Sequence, residues 1–275
     1  MPQAQQDNFI VTLTPRQLPS LQNWRAAPAI LAYRLGPGPH LFRADNAPLP
    51  RGGLMVANDQ DFDGLGQVGP LCQEILRECQ ARGFSGAILD FDGRLPPLEE
   101  IASRLDEAFV RRGWTLFVPE RYGRSAPRAK VMIPSALSGG SLELRLEEAV
   151  QRFGADRVAL ALEQSAEDFS LPCPSGRGTS LTPEQLEELK RRLSPSIFFS
   201  GDLCARYFTY MSRDSGAHFV LFDDADTLRR KVEVARRAGI HTFLASWAQI
   251  SRCAAHLGIS SFPRTAQDMK KPGSR

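Results

Sequence analysis

The sequence predicts an α/β fold of parallel strands joined by helical crossovers, at a length that suits one (β/α)8 TIM barrel. Three observations carry this. Short apolar runs alternate with amphipathic helices along most of the chain, glycines close the helices just before the strands, and 275 residues match the ~250 typical of such barrels. The alternation alone fits an open doubly wound sheet as well as a closed barrel.

The strand-like runs, in order, are Ala29–Tyr33, Leu54–Ala57, Ala87–Phe91, Leu116–Val118, Val131–Ile133, Val158–Leu162 and Thr242–Ala245. Between them, apolar residues recur at helical spacing: Leu71, Ile75, Leu76 and Cys79; Leu98, Ile101, Leu105 and Phe109; Leu142, Leu146, Val150 and Phe153; Leu228, Val232 and Ala235. Each set marks a helix with one buried face. Gly83, Gly113, Gly154 and Gly239 stand where these helices should end in a left-handed residue. Arg82, Arg112 and Arg237 sit near helix C-termini, where the dipole favours cations. Only one strand, Ala29–Tyr33, is visible before Leu54, so the sequence leaves the barrel incomplete at its N-terminus.

The rhythm breaks from about residue 168 to 224. This stretch holds Pro172, Pro174, Gly176 and Gly178, then a helix opened by Thr182-Pro183-Glu184-Gln185, a capping box with proline at N1. Two β-rich runs follow, Tyr207–Tyr210 and His218–Phe222, joined across Arg213–Gly216 as a hairpin. We read it as a small α+β insertion before the last barrel strand, within a single domain of residues 1–265. The basic tail, residues 266–275, is expected to be disordered.

Composition narrows function. Hydrophobic residues make up 42% and charged residues 24%, an ordinary globular balance. A formal charge of +3 gives no broad basic field for nucleic acid. No apolar run approaches the ~20 residues of a membrane span, and no charged segment followed by an apolar one marks a signal peptide. The five cysteines include no CxxC pair. Reduced thiols in a cytoplasmic setting are the expectation, without a disulfide framework or zinc. No G-x-G-x-x-G follows a strand, Asp61 and Asp63 lack EF-hand spacing, and the four histidines are scattered. No cofactor or metal is expected.

The segment Gly83-Phe84-Ser85-Gly86-Ala87-Ile88-Leu89-Asp90-Phe91-Asp92-Gly93 carries the chemistry. Alternate side chains of a strand share a face. Ala87, Leu89 and Phe91 suit packing beneath helices, while Ile88, Asp90 and Asp92 face the other way. In a barrel that second face is the interior, and its carboxylates reach the C-terminal strand ends where barrel active sites form. Neighbouring carboxylates repel, so one pKa rises. Asp90 and Asp92 are the candidate catalytic pair; the alternative is a pair of carboxylates capping loop amides. Asn58, Asp59, Glu120 and Glu163 also end predicted strands and could line the mouth, or serve as caps and surface ion pairs.

The same segment resembles the signature strand of glycoside hydrolase family 18, D-G-x-D-x-D-x-E. Gly86 and Asp90 match; Ser85 and Ile88 replace the first two acids, and Asp92 stands at the Glu position. A second stretch, Phe222-Asp223-Asp224-Ala225-Asp226-Thr227-Leu228 with Gly239-Ile240 and Leu244-Ala245-Ser246-Trp247, resembles the final helix and strand of the family's spore-germination branch. A third, Leu54-Met55-Val56-Ala57-Asn58 with Phe62, resembles the strand before the signature. Together they span roughly residues 50 to 250, and the insertion fits.

The resemblance implies a barrel that cleaves β-linked N-acetylglucosamine glycans, chitin or peptidoglycan, with the substrate's acetamido oxygen as nucleophile. Asp90 would orient the acetamido group, Asp92 would protonate the leaving oxygen, and Trp247 would form the floor under the sugar ring. Trp247 as core packing is the alternative. Two departures bear on activity. Asp92 is one methylene shorter than Glu, and Ile133-Pro134-Ser135 occupies the place of a tyrosine and an acid. Ser135 is the candidate contact there, with Glu120 or Glu163 as the replacement acid. A degenerate glycan- or protein-binding barrel, and a metal-dependent enzyme using the same carboxylates, stand as alternatives.

Overall fold

In the computed structural model, residues 6–259 are described, apart from 22, 45 and 46. The expected tail at 266–275 lies outside the described residues. Two compact units are distinguished, Met1–Met132 with Leu244–Arg275, and Ile133–Phe243.

The first unit opens with β1 (Asn8–Leu13), β2 (Ala27–Gly36), β3 (His40–Arg43) and β4 (Leu54–Asn58). Next come α1 (Val68–Arg82), β5 (Gly86–Asp90), α2 (Pro96–Val110), β6 (Thr115–Pro119) and β7 (Lys130–Pro134). β1 is the strand that the sequence reading missed. Asn8-Phe9-Ile10-Val11-Thr12-Leu13 has good strand residues, but no glycine-closed helix precedes it to announce it. It pairs in parallel with β2 from Ile10↔Ala27 to Leu13↔Ile30. β3 folds back antiparallel on β2 as an added hairpin.

The second unit carries α3 (Leu142–Phe153), β8 (Val158–Leu162), β9 (Ala166–Leu171), β10 (Thr179–Ser180), α4 (Pro183–Leu193), β11 (Phe198–Ser200), β12 (Ala205–Ser212), β13 (Gly216–Phe222) and α5 (Ala225–Arg237). β14 (Thr242–Ser246) and α6 (Trp247–Ile250) follow. The strand order β1-β14-β8-β7-β6-β5-β4-β2, with β1 also pairing β2, closes an eight-stranded parallel (β/α)8 barrel. The barrel is therefore complete.

Strand alternation sorts the side chains as the sequence predicts. Met55, Ala57, Ala87, Leu89, Phe91, Leu116 and Val118 pack with Leu71 and Ile75 of α1 and Leu98, Ile101 and Leu105 of α2. The opposite face carries Val56, Ile88 and Phe117, aligned in register across β4, β5 and β6 and buried. Burying such a side chain contributes about 1.5–3 kcal/mol. Gly83 closes α1 at φ +67°, and the Phe84 amide donates back to the Cys79 carbonyl at 2.9 Å. Gly113 and Gly239 repeat this closure. Gly154 departs from it: φ 88° with ψ 141° is not the left-handed helical conformation, and the chain passes into a short 3-10 turn instead.

The insertion forms a five-stranded sheet, order β10-β9-β13-β12-β11. Its pairings are antiparallel, and β12 and β13 meet at Ser212↔Gly216 across the predicted hairpin turn. The Thr182–Gln185 capping box opens α4 as read from sequence. Leu186 and Leu189 of α4 cover Phe208, Val220 and Phe222 on one sheet face. The other face holds Phe169, Ala205 and Leu221, with Tyr207 and Phe219 partly open.

One buried ion pair ties the insertion's two ends. Lys231 Nζ donates to Asp223 Oδ2 at 2.8 Å, with both side chains sealed from solvent. The Ser165 amide and hydroxyl donate to the same oxygen at 3.2 and 3.0 Å, and Thr227 Oγ1 donates to Oδ1 at 2.8 Å. The Asp223 amide donates to the Ser165 carbonyl at 2.8 Å.

Two outcomes test this description. Asp223→Ala and Lys231→Met should each lower unfolding free energy by about 3–5 kcal/mol, since each strands a buried charge or its donors. The double variant, measured by urea unfolding, should cost well below the sum of the two. The thiols give the second test. Burial pushes Cys72 up to about 11 and Cys79 to about 12, and raises Cys204 and Cys253. Cys173 is half-buried. A thiol reagent at neutral pH should therefore react quickly with one cysteine, and Cys173→Ser should remove that fast phase.

Candidate functional site

Asp90 is the last residue of β5 and stands in register with Asn58, the last residue of β4. Asp92 follows one residue on, across the buried Phe91, and is solvent-exposed. The chain around Asp92 is held from two sides. Asp59 Oδ1 accepts from the Asp92 amide at 3.0 Å, and Oδ2 accepts from the Gly93 amide at 2.8 Å. Arg121 Nη1 donates to the Asp92 carbonyl at 2.6 Å and to the Gly93 carbonyl at 2.8 Å. The Tyr122 hydroxyl donates to the Gly93 carbonyl at 2.8 Å. A Cβ at 93 would lie 2.5 Å from Asp59 Oδ2, so a larger residue there would displace the carboxylate that holds the loop amides. Beneath the loop, the Phe91 and Tyr122 rings meet edge to face at 6.2 Å.

This clamp fixes the backbone of the loop and leaves the two carboxylates to the solvent side. Asp90 has a raised pKa, first through lost solvation, then through the charges of Asp92 and Asp59. Asp90 is nonetheless exposed, so water reaches it while neighbouring protein atoms reduce its solvation. Burial also raises the Tyr122 phenol, which favours its role as donor.

The other expected site residues fall in different settings. Trp247 begins α6 directly after β14; it is only 9% exposed, and its ring meets Trp24 edge-on at 6.0 Å. Asn58 is half-buried, and its Oδ1 accepts from the Gln60 amide at 3.4 Å. Glu120 opens a 3-10 turn after β6 and is half-buried. Ser135 differs from the expectation of a contact residue. It is fully buried, and its Oγ accepts from the Glu163 amide at 3.0 Å, so it bridges the ends of β7 and β8 instead of facing a ligand. Glu163, half-buried, follows β8.

Asp59, Arg121 and Tyr122 were not picked out as a unit from sequence. Asp59 showed only as a polar strand-end residue, and Arg121-Tyr122 carried no signal until β6 was aligned beside β5. Among the described residues, no group of three or more His, Cys, Asp or Glu is placed to hold a metal ion, and no helix is long and apolar enough to cross a membrane.

No sequence-family model matches the chain. No curated protein matches it either. Solved structures do. A chitinase from Chromobacterium violaceum aligns with TM-score 0.65 at 18% identity, over 87% of this chain and 93% of that one. The spore cortex-lytic enzyme SleL of Bacillus megaterium aligns with TM-score 0.62 at 16% identity, over 90% of this chain and 71% of that one. A class V chitinase from Nicotiana tobaccum, solved in complex with NAG4, aligns with TM-score 0.66 at 11% identity, over 93% of this chain and 100% of that one.

The chain has a divergent family-18-like fold. In this barrel β5 ends at Asp90, and Asp92 follows in the loop after it. The second unit bears an antiparallel sheet between β8 and β14, as the resemblance also implied.

The electrostatics predict a sign. A raised folded pKa means that Asp90 holds its proton more tightly folded than unfolded. Stability therefore falls as pH rises from the unfolded value near 3.8 through the folded value, and the full penalty persists above it. Asp90→Asn should raise the melting temperature at pH 7 and leave it unchanged near pH 3. Asp59→Asn should lower the Asp90 pKa by removing a neighbouring charge, as read by NMR titration. It should also cost about 1–3 kcal/mol, because an amide nitrogen cannot accept a loop N–H.

Proposed function

We propose that the chain binds N-acetylglucosamine-containing glycans of the chitin or peptidoglycan type at Asp90 and Asp92, and hydrolyses them slowly if at all. The observation that carries this is the pair of carboxylates at the end of β5, on a loop fixed by Asp59, Arg121 and Tyr122. Barrel enzymes place their chemistry at such strand ends. The shared fold with chitinases and cortex-lytic enzymes supports the choice of ligand.

In this reading Asp90 accepts the acetamido N–H and orients the acetamido oxygen as it bonds to the anomeric carbon. Asp92 gives a proton to the glycosidic oxygen as the C–O bond breaks. Trp247, 9% exposed, meets the C–H face of the ring with the part of its indole left open at the start of α6. Slow turnover follows from two features. An Asp carboxyl falls short of a Glu by about 1 Å, and misplacement on that scale costs ~10²-fold. Buried Ser135 supplies no phenol where the resemblance expects a tyrosine.

Calorimetry with chitotetraose tests the binding. The parent should bind, Trp247→Phe should keep most of the affinity, and Trp247→Leu, apolar but without a flat face, should lose about tenfold or more. A folded parent with no heat of binding to chitotetraose or to a peptidoglycan disaccharide would sink the reading. For chemistry, Asp92→Glu should raise release of a chromogenic chitooligosaccharide leaving group, with ~10²-fold available from a well-placed acid. Equal rates for the parent, Asp92→Glu and Asp92→Asn would mean that Asp92 donates no proton and the protein is a binder alone.

A further inference from the structure

The second unit contains a cavity of about 310 Å³ lined by Ser138, Glu167, Arg177, Gly178 and Leu221 among others. Its volume is at the low end for small-molecule sites, about right for one substituted sugar ring. Ser138 lies in the loop after β7, and Glu167 lies near the start of β9, shortly after β8. Both therefore follow C-terminal ends of barrel strands, the side on which barrels bind ligands.

Its charged groups are uncommitted. Arg206, Arg229 and Arg237 of the same unit are each paired with a carboxylate. The Arg177 guanidinium and the Glu167 carboxylate have no such partner among the described residues. The backbone beside Arg177 is nevertheless tied down. Its amide donates to Ser175 Oγ at 3.3 Å, and Cys173 Sγ donates to its carbonyl at 3.4 Å. Gly178 allows the chain to pass close to Glu167, since a Cβ there would lie 3.0 Å from Glu167 Cβ. Leu221, paired with Glu167 across β13 and β9, supplies an apolar patch.

We propose that this cavity selects a carboxylate-bearing amino sugar, of the N-acetylmuramic acid type, over neutral N-acetylglucosamine; this rests on the glycan reading above. A guanidinium matches a carboxylate in a planar two-point contact that no neutral sugar can return. Leu221 meets the C–H face of the ring, and Glu167 accepts a hydroxyl or acetamido N–H. The sugar's lactyl carboxylate sits at Arg177, where the unpaired guanidinium provides the cavity's positive charge.

Three probes separate the possibilities: the N-acetylglucosaminyl–N-acetylmuramic acid disaccharide, its methyl ester, and neutral di-N-acetylchitobiose. Calorimetry at low salt should show the acid binding about five- to tenfold tighter than the ester or chitobiose, with the advantage shrinking at high salt. Arg177→Gln should abolish that advantage and leave the neutral probes unchanged. Glu167→Gln, which removes a negative charge, should keep or widen it. Equal affinity of the acid and its ester, or a preference that survives Arg177→Gln, overturns the inference and leaves glycan binding intact. No binding of any probe by the folded parent overturns both readings.

Discussion

A carboxylate with no exposed surface holds the second unit together. Asp223 takes three donors on one oxygen, from Lys231 and from the amide and hydroxyl of Ser165, and one on the other, from Thr227. The insertion leaves the barrel path at Ser165 and returns at Asp223, so one anion fixes both ends at a single point. Loop-closure entropy grows only slowly with length, so a long insertion is tolerable once its ends are pinned. Asp223 alone would be prohibitive to bury. Its partners make burial possible, and they restrict what the helix of residues 225–237 can do, because Lys231 and Thr227 both lie on it.

The same device recurs at the functional face with a different balance. Asp59 also receives two donors, but these are backbone amides of the loop that carries Asp92. Arg121, the nearby cation, directs its hydrogen bonds to the loop carbonyls. The loop gains a fixed shape, and Asp90 pays in proton affinity: the charges of Asp59 and Asp92 add to lost solvation in raising its pKa. One clamp relieves electrostatic stress to build structure. The other tolerates it, as expected where a group is kept for chemistry.

Most of the barrel could be read from the sequence because its signals are local. The alternation in Ala87–Asp92 set the two faces of β5 correctly, and the glycines at 83, 113 and 239 marked helix ends. β1 escaped because its short apolar run, residues 9–13, lacks the glycine-closed helical pattern that frames the other strands in the sequence. Gly154 misled because a positive φ alone does not say which turn follows. Ser135 misled for a related reason. It stood where the resemblance places a tyrosine, and only the pairing of β7 with β8 shows its hydroxyl accepting the Glu163 amide. The Asp59–Arg121–Tyr122 clamp brings residues that follow β4 and β6 onto the loop after β5, and such convergence depends on register across the three strands, which no local pattern records. The Asp223 cluster was visible only as part of a family resemblance.

The replacement of a longer acid by Asp92 is best understood against this fixed loop. A mobile loop could move a shortened carboxyl forward to recover its reach. Here the amides at 92 and 93 are held by Asp59 and the carbonyls by Arg121 and Tyr122. The missing methylene therefore cannot be restored by backbone motion at low cost. Rigidity that would favour catalysis with the right acid preserves the deficit with the shorter one. Binding suffers less, since ring stacking and acetamido hydrogen bonds tolerate small offsets better than proton transfer does. Under the glycan reading proposed above, the loop's fixed backbone would separate recognition from turnover, because it holds the shorter acid at a distance while leaving ring stacking and acetamido hydrogen bonds in place.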